Sequence, residues 1–294
     1  MRIKKVLSAA ASALMVSLLL TGCGASIKTA KVAAKFGNAL QQQPITSATA
    51  EINCDISIQD QSGIETLNTR FHTLVKSITD WEASRSYSDI VTAVAAGDMD
   101  VTQTMQSYAS GESGEEVRYV HLDQFDTWVR LEDQKRAIDV EPAVILKLLE
   151  KVSEDITMET RESTVGGNTH YILGLSFTAQ EIREFAETAG IHIPAEFSKC
   201  DLTGISVPVE LELEDVTFLP IRLEIKIEGI NHSFLQALAE SFAKGKEIQN
   251  IDVEMTEISV LITNFGYGPQ DIPMLPKGAA EKALDMKKVK EIKN

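Results

Sequence analysis

Five histidines, three cysteines and 43 Asp and Glu residues are the groups with which these 294 residues could do chemistry. Their spacing excludes most of it. His72, His121, His170, His192 and His232 stand apart: none flanks a Glu at i, i+4 as in HExxH, and none has a second ligand at metal spacing. Asp98-Met99-Asp100 offers two carboxylates to a hard cation, but a calcium loop needs more oxygens in a fixed order, so a solvated turn is expected. In Gly111-Glu112-Ser113-Gly114 the second glycine comes one residue early for a nucleophile elbow, and the flanks do not read strand, turn, helix. No glycine-rich phosphate cradle follows a strand, and the glycines of Phe265-Gly266-Tyr267-Gly268-Pro269 fit a turn at a strand exit. The expectation is a non-catalytic protein with no catalytic residue, metal or cofactor.

The N-terminus carries a different chemistry. Arg2, Lys4 and Lys5 precede an apolar, small-residue run from Val6 to Leu20, which ends in Leu20-Thr21-Gly22-Cys23. This is the pattern of a cleaved export signal; the run is interrupted by Ser and shorter than the roughly 20 apolar residues that span a bilayer. Leu20-Thr21-Gly22-Cys23 resembles the lipobox of bacterial lipoproteins. The resemblance implies that residues 1–22 are removed, that Cys23 receives diacylglycerol and a further acyl group such as palmitate, and that residues 23–25 form a short tether. Each buried CH2 contributes about 0.8 kcal/mol, so two or three chains anchor stably where one would not. The expected location is extracytoplasmic, lipid-anchored to the bacterial cell membrane. Cys54 and Cys200 remain. An oxidising compartment permits a disulfide between them, worth roughly 4–5 kcal/mol in the chain-entropy model. Cys54 also sits at an apolar position of an alternating segment, where a buried free thiol is as natural.

Removing residues 1–22 leaves 272 residues, with 25 Lys and Arg against 43 Asp and Glu, a net charge of −18. That excludes nucleic acid, which needs clustered Lys and Arg. The basic residues Lys287, Lys288, Lys290 and Lys293 fall in a charged C-terminal helix or tail, residues 279–294.

Between anchor and tail, period-two alternation dominates. Ala50, Ile52, Cys54, Ile56 and Ile58 alternate with polar residues. Extended runs follow at 64–78, 90–95, 101–109, 117–122 and 127–131, with the Gly111–Gly114 stretch as a hairpin loop. Residues 156–162 and 169–177 flank Val165-Gly166-Gly167-Asn168 as another hairpin. Val207 to Leu213 and Leu219 to Ile227 form a third. A last strand begins Ile251, Val253, Met255 and continues Ile258, Val260, Ile262, a phase change that predicts a β-bulge. Helices are expected at 26–40, with Val32, Phe36, Ala39 and Leu40 on one face, at 142–152, from the capping box Thr178-Ala179-Gln180-Glu181 to Gly190, and at 235–245. The predicted fold class is α+β: a single strongly curved antiparallel sheet, a half-barrel with amphipathic helices on its apolar face, in one domain over residues 26–278.

The lipobox, the helix directly before Ala50 to Ile58, the Leu219-Pro220-Ile221-Arg222-Leu223-Glu224-Ile225 strand, and the closing Ile262-Thr263-Asn264-Phe265 with Asp271-Ile272-Pro273 together resemble the LolA-like superfamily of lipid and lipoprotein carriers, including the LppX/LprG type. The resemblance implies a lipid or other hydrophobic ligand held between sheet and helices. The expected wall residues are Ile52, Ile56, Leu173, Leu211, Leu223 and Ile225. A solid core is the alternative, since an inward-facing Ile suits either; the protein would then be a structural envelope lipoprotein that docks a partner protein through its acidic surface or a sheet edge.

Overall fold

The computed structural model describes residues 32, 35–40, 42–60, 66–80, 82–83, 85–110, 117–132, 157–162, 169–178, 180–181, 183, 202–230 and 251–285. Cys23 and the tether, Cys200, His192, His232, the loop Gly111 to Gly114 and the expected helices at 142–152 and 235–245 lie outside these residues. The chain divides into two compact units. Unit 1 takes Met1–Gln43 and Ile138–Glu247, and unit 2 takes Pro44–Ala137 and Ile248–Asn294. Each unit is assembled from two separated stretches, so no linker composition marks the boundary that the single-domain expectation lacked.

Unit 2 is a run of long antiparallel strands. It contains β1 (Ile45–Asp60), β2 (Thr66–Asp80), β3 (Arg85–Ala96), β4 (Met99–Ser110), β5 (Val117–Leu122) and β6 (Thr127–Glu132). In unit 1 follow β7 (Thr157–Glu162), β8 (Thr169–Thr178), β9 (Ser206–Glu214) and β10 (Pro220–Lys226). β11 (Ile251–Tyr267) and β12 (Leu284–Asp285) return to unit 2. There the strands lie in the order β12-β6-β5-β4-β3-β2-β1-β11, and in unit 1 in the order β10-β9-β8-β7. Among the described residues the strand pairings are antiparallel except β12 on β6, where Leu284 and Asp285 lie beside Val129 and Arg130.

Local chemistry explains the strand ends. Asp80 closes the β2–β3 turn by accepting the Glu82 and Ala83 amides at 3.1 and 2.8 Å and the Arg85 guanidinium at 3.2 Å. The predicted bulge is present: Asp55 pairs with Glu257 but Ile56 with Met255, which leaves Thr256 as the extra residue. A second irregularity sits between Ser47 and Thr49, opposite Gly266 and Thr263. Asn264 lies in that interval with φ 53°, a left-handed conformation that Asn tolerates better than most L residues.

In unit 1, residues 35–40 are helical, and Val32, Phe36 and Leu40 are buried as their spacing predicts. The capping box also forms: the Glu181 amide donates to Thr178 Oγ1 at 3.2 Å, and the Thr178 amide donates to Glu181 Oε2 at 2.7 Å. Phe218 takes φ 60° in the β9–β10 turn, stacked on Tyr171 with centroids 5.4 Å apart, with Lys35 Nζ 4.4 Å from its ring centre. Beyond β10, Gly229 (φ 71°) passes so close to Gly204 that a Cβ would lie 2.2 Å from the Gly204 carbonyl oxygen. Gly204 has φ 79° but open space around its own Cβ position. Gly229→Ala should therefore destabilise by about 3 kcal/mol, from left-handed strain plus a backbone clash, and Gly204→Ala by about 1 kcal/mol from the strain alone. Urea unfolding midpoints of the two variants check the difference.

Candidate ligand-binding face

The two units treat their apolar faces differently. In unit 1, register places Leu173 beside Leu211 and Leu211 beside Leu223. The neighbouring rows are Tyr171, Leu213, Pro220 and Leu175, Val209, Ile225. Leu173 and Leu213 are 0% exposed, Leu211 1% and Leu223 4%. A side chain with no accessible surface adjoins no water-sized space, so this layer is filled at native density. The opposite face of the same strands is ionic. Arg222 donates to Glu210 at 2.9 Å and to Glu224 at 2.6 Å, Lys226 lies 3.2 Å from Glu224, and His170 Nδ1 lies 2.8 Å from Glu212. Burial alone would raise the Glu224 carboxyl, but hydrogen bonds from Lys226 and Arg222 and their charges outweigh it and hold it below its ordinary value.

In unit 2, one face of β1–β6 carries the aliphatic positions of the same alternation, crossed by a polar row of Thr73, Thr92 and Gln103 beside Ile52, and it is not sealed. Ala50, Ile56, Val75 and Ala109 are buried. Ile52, Phe71, Ile90, Val94, Met105 and Leu122 on that face are only half-buried, and Val101 and Met99 are 44% and 58% exposed. Cys54 lies in this face between Ile52 and Ile56. It is a free thiol, pushed up first by burial and then by the charge of Asp55.

The expected wall residues thus fall in two groups. Leu173, Leu211 and Leu223 share one row of unit 1, with Ile225 half-buried one row away, while Ile52 and Ile56 belong to β1 of unit 2. Neither a protein-family model nor a curated protein matches the chain. Among solved structures, it is similar to a β-barrel-like protein of a domain of unknown function, DUF1849, from Brucella abortus. The identity is 8%, the match covers 77% of this chain and 99% of that one, and the TM-score is 0.24. At that score the likeness carries no argument, and the reading of the site rests on strand register and burial.

Register also assembles a group that no sequence spacing announces. On the other face of unit 2, Tyr87, Tyr108 and Tyr119 lie opposite one another on β3, β4 and β5, and Asp89, Gln106, His121 and Trp128 form the next row. The Tyr87 hydroxyl donates to Asp89, and burial followed by that bond holds the phenol above its ordinary value. His121 approaches Asp123 at 2.8 Å and Asp126 at 3.2 Å through its two ring nitrogens. The other described histidines are half-buried and each is bonded: His72 to Asn53 at 2.8 Å, and His170 to Glu212. Asp98 and Asp100 stand exposed at the β3–β4 turn. The grouping of Tyr87, Tyr108, Tyr119 and Trp128 could have been found only by knowing the strand pairing.

Proposed function

We propose that the protein is a membrane-anchored extracytoplasmic lipoprotein whose unit 2 takes a lipid or other hydrophobic ligand on its apolar face, without covalent chemistry. The observation that carries this reading is the contrast between the units. The same chain seals Leu173, Leu211 and Leu213 to within 1% exposure, yet leaves Ile52, Phe71, Ile90 and Val94 half-buried, the last three in apolar rows that flank the polar row Thr73, Thr92 and Gln103. Covering such a face releases about 25 cal/mol per Å² of apolar surface, which an acyl chain supplies as well as a side chain does. The anchor supports the same reading, because a tether of residues 23–25 would keep the domain near bilayer lipid.

The filled layer of unit 1 favours a second reading, in which the protein is an envelope interaction lipoprotein that docks a partner protein. The two are separated by native mass spectrometry of the chain carrying Cys23→Ser, purified from cells without detergent. The first reading predicts adducts of lipid mass and uptake of Nile red with enhanced emission. A protein that is free of lipid and does not take up the dye would exclude it.

A further inference from the structure

The polar face of unit 2 carries a site of its own. Trp128 on β6 and Tyr108 on β4 are separated by one strand, so their backbones are roughly 9–10 Å apart. Their ring centroids are nevertheless 5.7 Å apart. The two side chains therefore lean towards each other over β5. Tyr108 continues the strip to Tyr87, at 4.8 Å, and His121 packs against the indole at 4.8 Å. All four residues are half-buried, and the ring planes are inclined to one another by 55° at Tyr87 and Tyr108, 45° at Tyr108 and Trp128 and 36° at His121 and Trp128, so the strip is a twisted one.

Around the rings stand hydrogen-bonding groups in register: Asp89, Gln106 and His121 in the row that ends at Trp128. The charges of the strip nearly offset each other, with Asp89, Asp123 and Asp126 against Lys76 and Arg130. Lys76 lies opposite Asp89, Arg130 follows Trp128 on the same face, and His121 sits between Asp123 and Asp126. A ring platform edged by carboxylate, amide and imidazole suits a molecule with one apolar face and a rim of hydroxyls. Local charge balance gives no attraction to an ionic ligand, and a net charge of −15 repels a polyanion that might otherwise stack on the rings. We propose that the Trp128–Tyr108–Tyr87 strip is a binding platform for an uncharged oligosaccharide. It lies on the opposite face from the proposed lipid surface and stands or falls separately from it.

The test is calorimetric titration of the full chain with chitohexaose, maltohexaose and laminarihexaose. At least one is expected to bind with a dissociation constant of about 1 mM or tighter. Trp128→Ala should weaken that binding by about tenfold or more, the scale of one lost ring contact. Gln106→Ala, which removes a hydrogen-bonding group and the long 3.5 Å acceptor of the Tyr108 hydroxyl but deletes no ring, should weaken it about threefold with an unchanged unfolding midpoint, and so tests the site even if Trp128→Ala folds poorly. In a Trp81→Phe background, where the emission reports Trp128 alone, the binding sugar should shift the fluorescence saturably. Absence of binding by all three sugars, or binding that both substitutions leave unchanged, overturns the proposal.

Discussion

Leu211→Ala is expected to destabilise the protein by about 3–4 kcal/mol, and Leu122→Ala by about 1 kcal/mol, although both delete the same atoms from an apolar face of a sheet. Leu211 is 1% exposed between Leu173 and Leu223, so its removal leaves a cavity that its neighbours must partly collapse to fill. Leu122 is half-buried at the end of β5, where water already reaches the side chain and no closed cavity results. Chemical denaturation at one temperature measures both. Equal losses would mean that the face of unit 2 is as tightly packed as that of unit 1, and the contrast on which the ligand reading rests would disappear.

Cys23→Ser is expected to abolish incorporation of an alkyne-labelled palmitate and to leave the chain at its unprocessed mass. The lipobox reading makes the Cys23 sulfur the acceptor of diacylglycerol and makes cleavage before Cys23 dependent on that modification. With each buried CH2 contributing about 0.8 kcal/mol, loss of two or three acyl chains removes nearly all of the anchoring free energy. Labelling that persists in the variant, or a wild-type chain that never takes up label, would contradict the lipoprotein assignment. Cys54 serves as the internal control, since it is a free thiol with its pKa raised by burial and is not expected to be acylated.

Strands were legible because half-wet sheets write their period into the sequence. Ala50 to Ile56 and Val207 to Leu213 alternate without a break, and the phase change between Met255 and Ile258 predicted a bulge that the pairing places at Thr256. The capping box at Thr178 was legible for a similar reason: the interaction spans three residues. The second irregularity, at Asn264, was not, because Phe265, Gly266 and Tyr267 read as a turn at the strand exit, whereas β11 continues through them to Tyr267. The division into two units left no trace because neither unit is a continuous stretch of chain. Nor could sequence separate the sealed row of Leu173, Leu211 and Leu223 from the open surface around Ile52, since an alternating aliphatic residue is compatible with either degree of cover. The aromatic strip was invisible for a further reason: Tyr87, Tyr108 and Trp128 are each about twenty residues from the next, and only strand register brings them together.

The most direct test of the ligand face is covalent mapping. A fatty acid with a photoreactive diazirine in its chain is irradiated with the Cys23→Ser protein, and the modified peptides are identified by mass spectrometry. Adducts are predicted on the apolar face of unit 2, at or beside Ile52, Phe71, Val94 and Met105, and they should be suppressed by an excess of unlabelled fatty acid. Adducts at Leu173, Leu211 or Leu223, or labelling that unlabelled fatty acid does not suppress, would contradict the account.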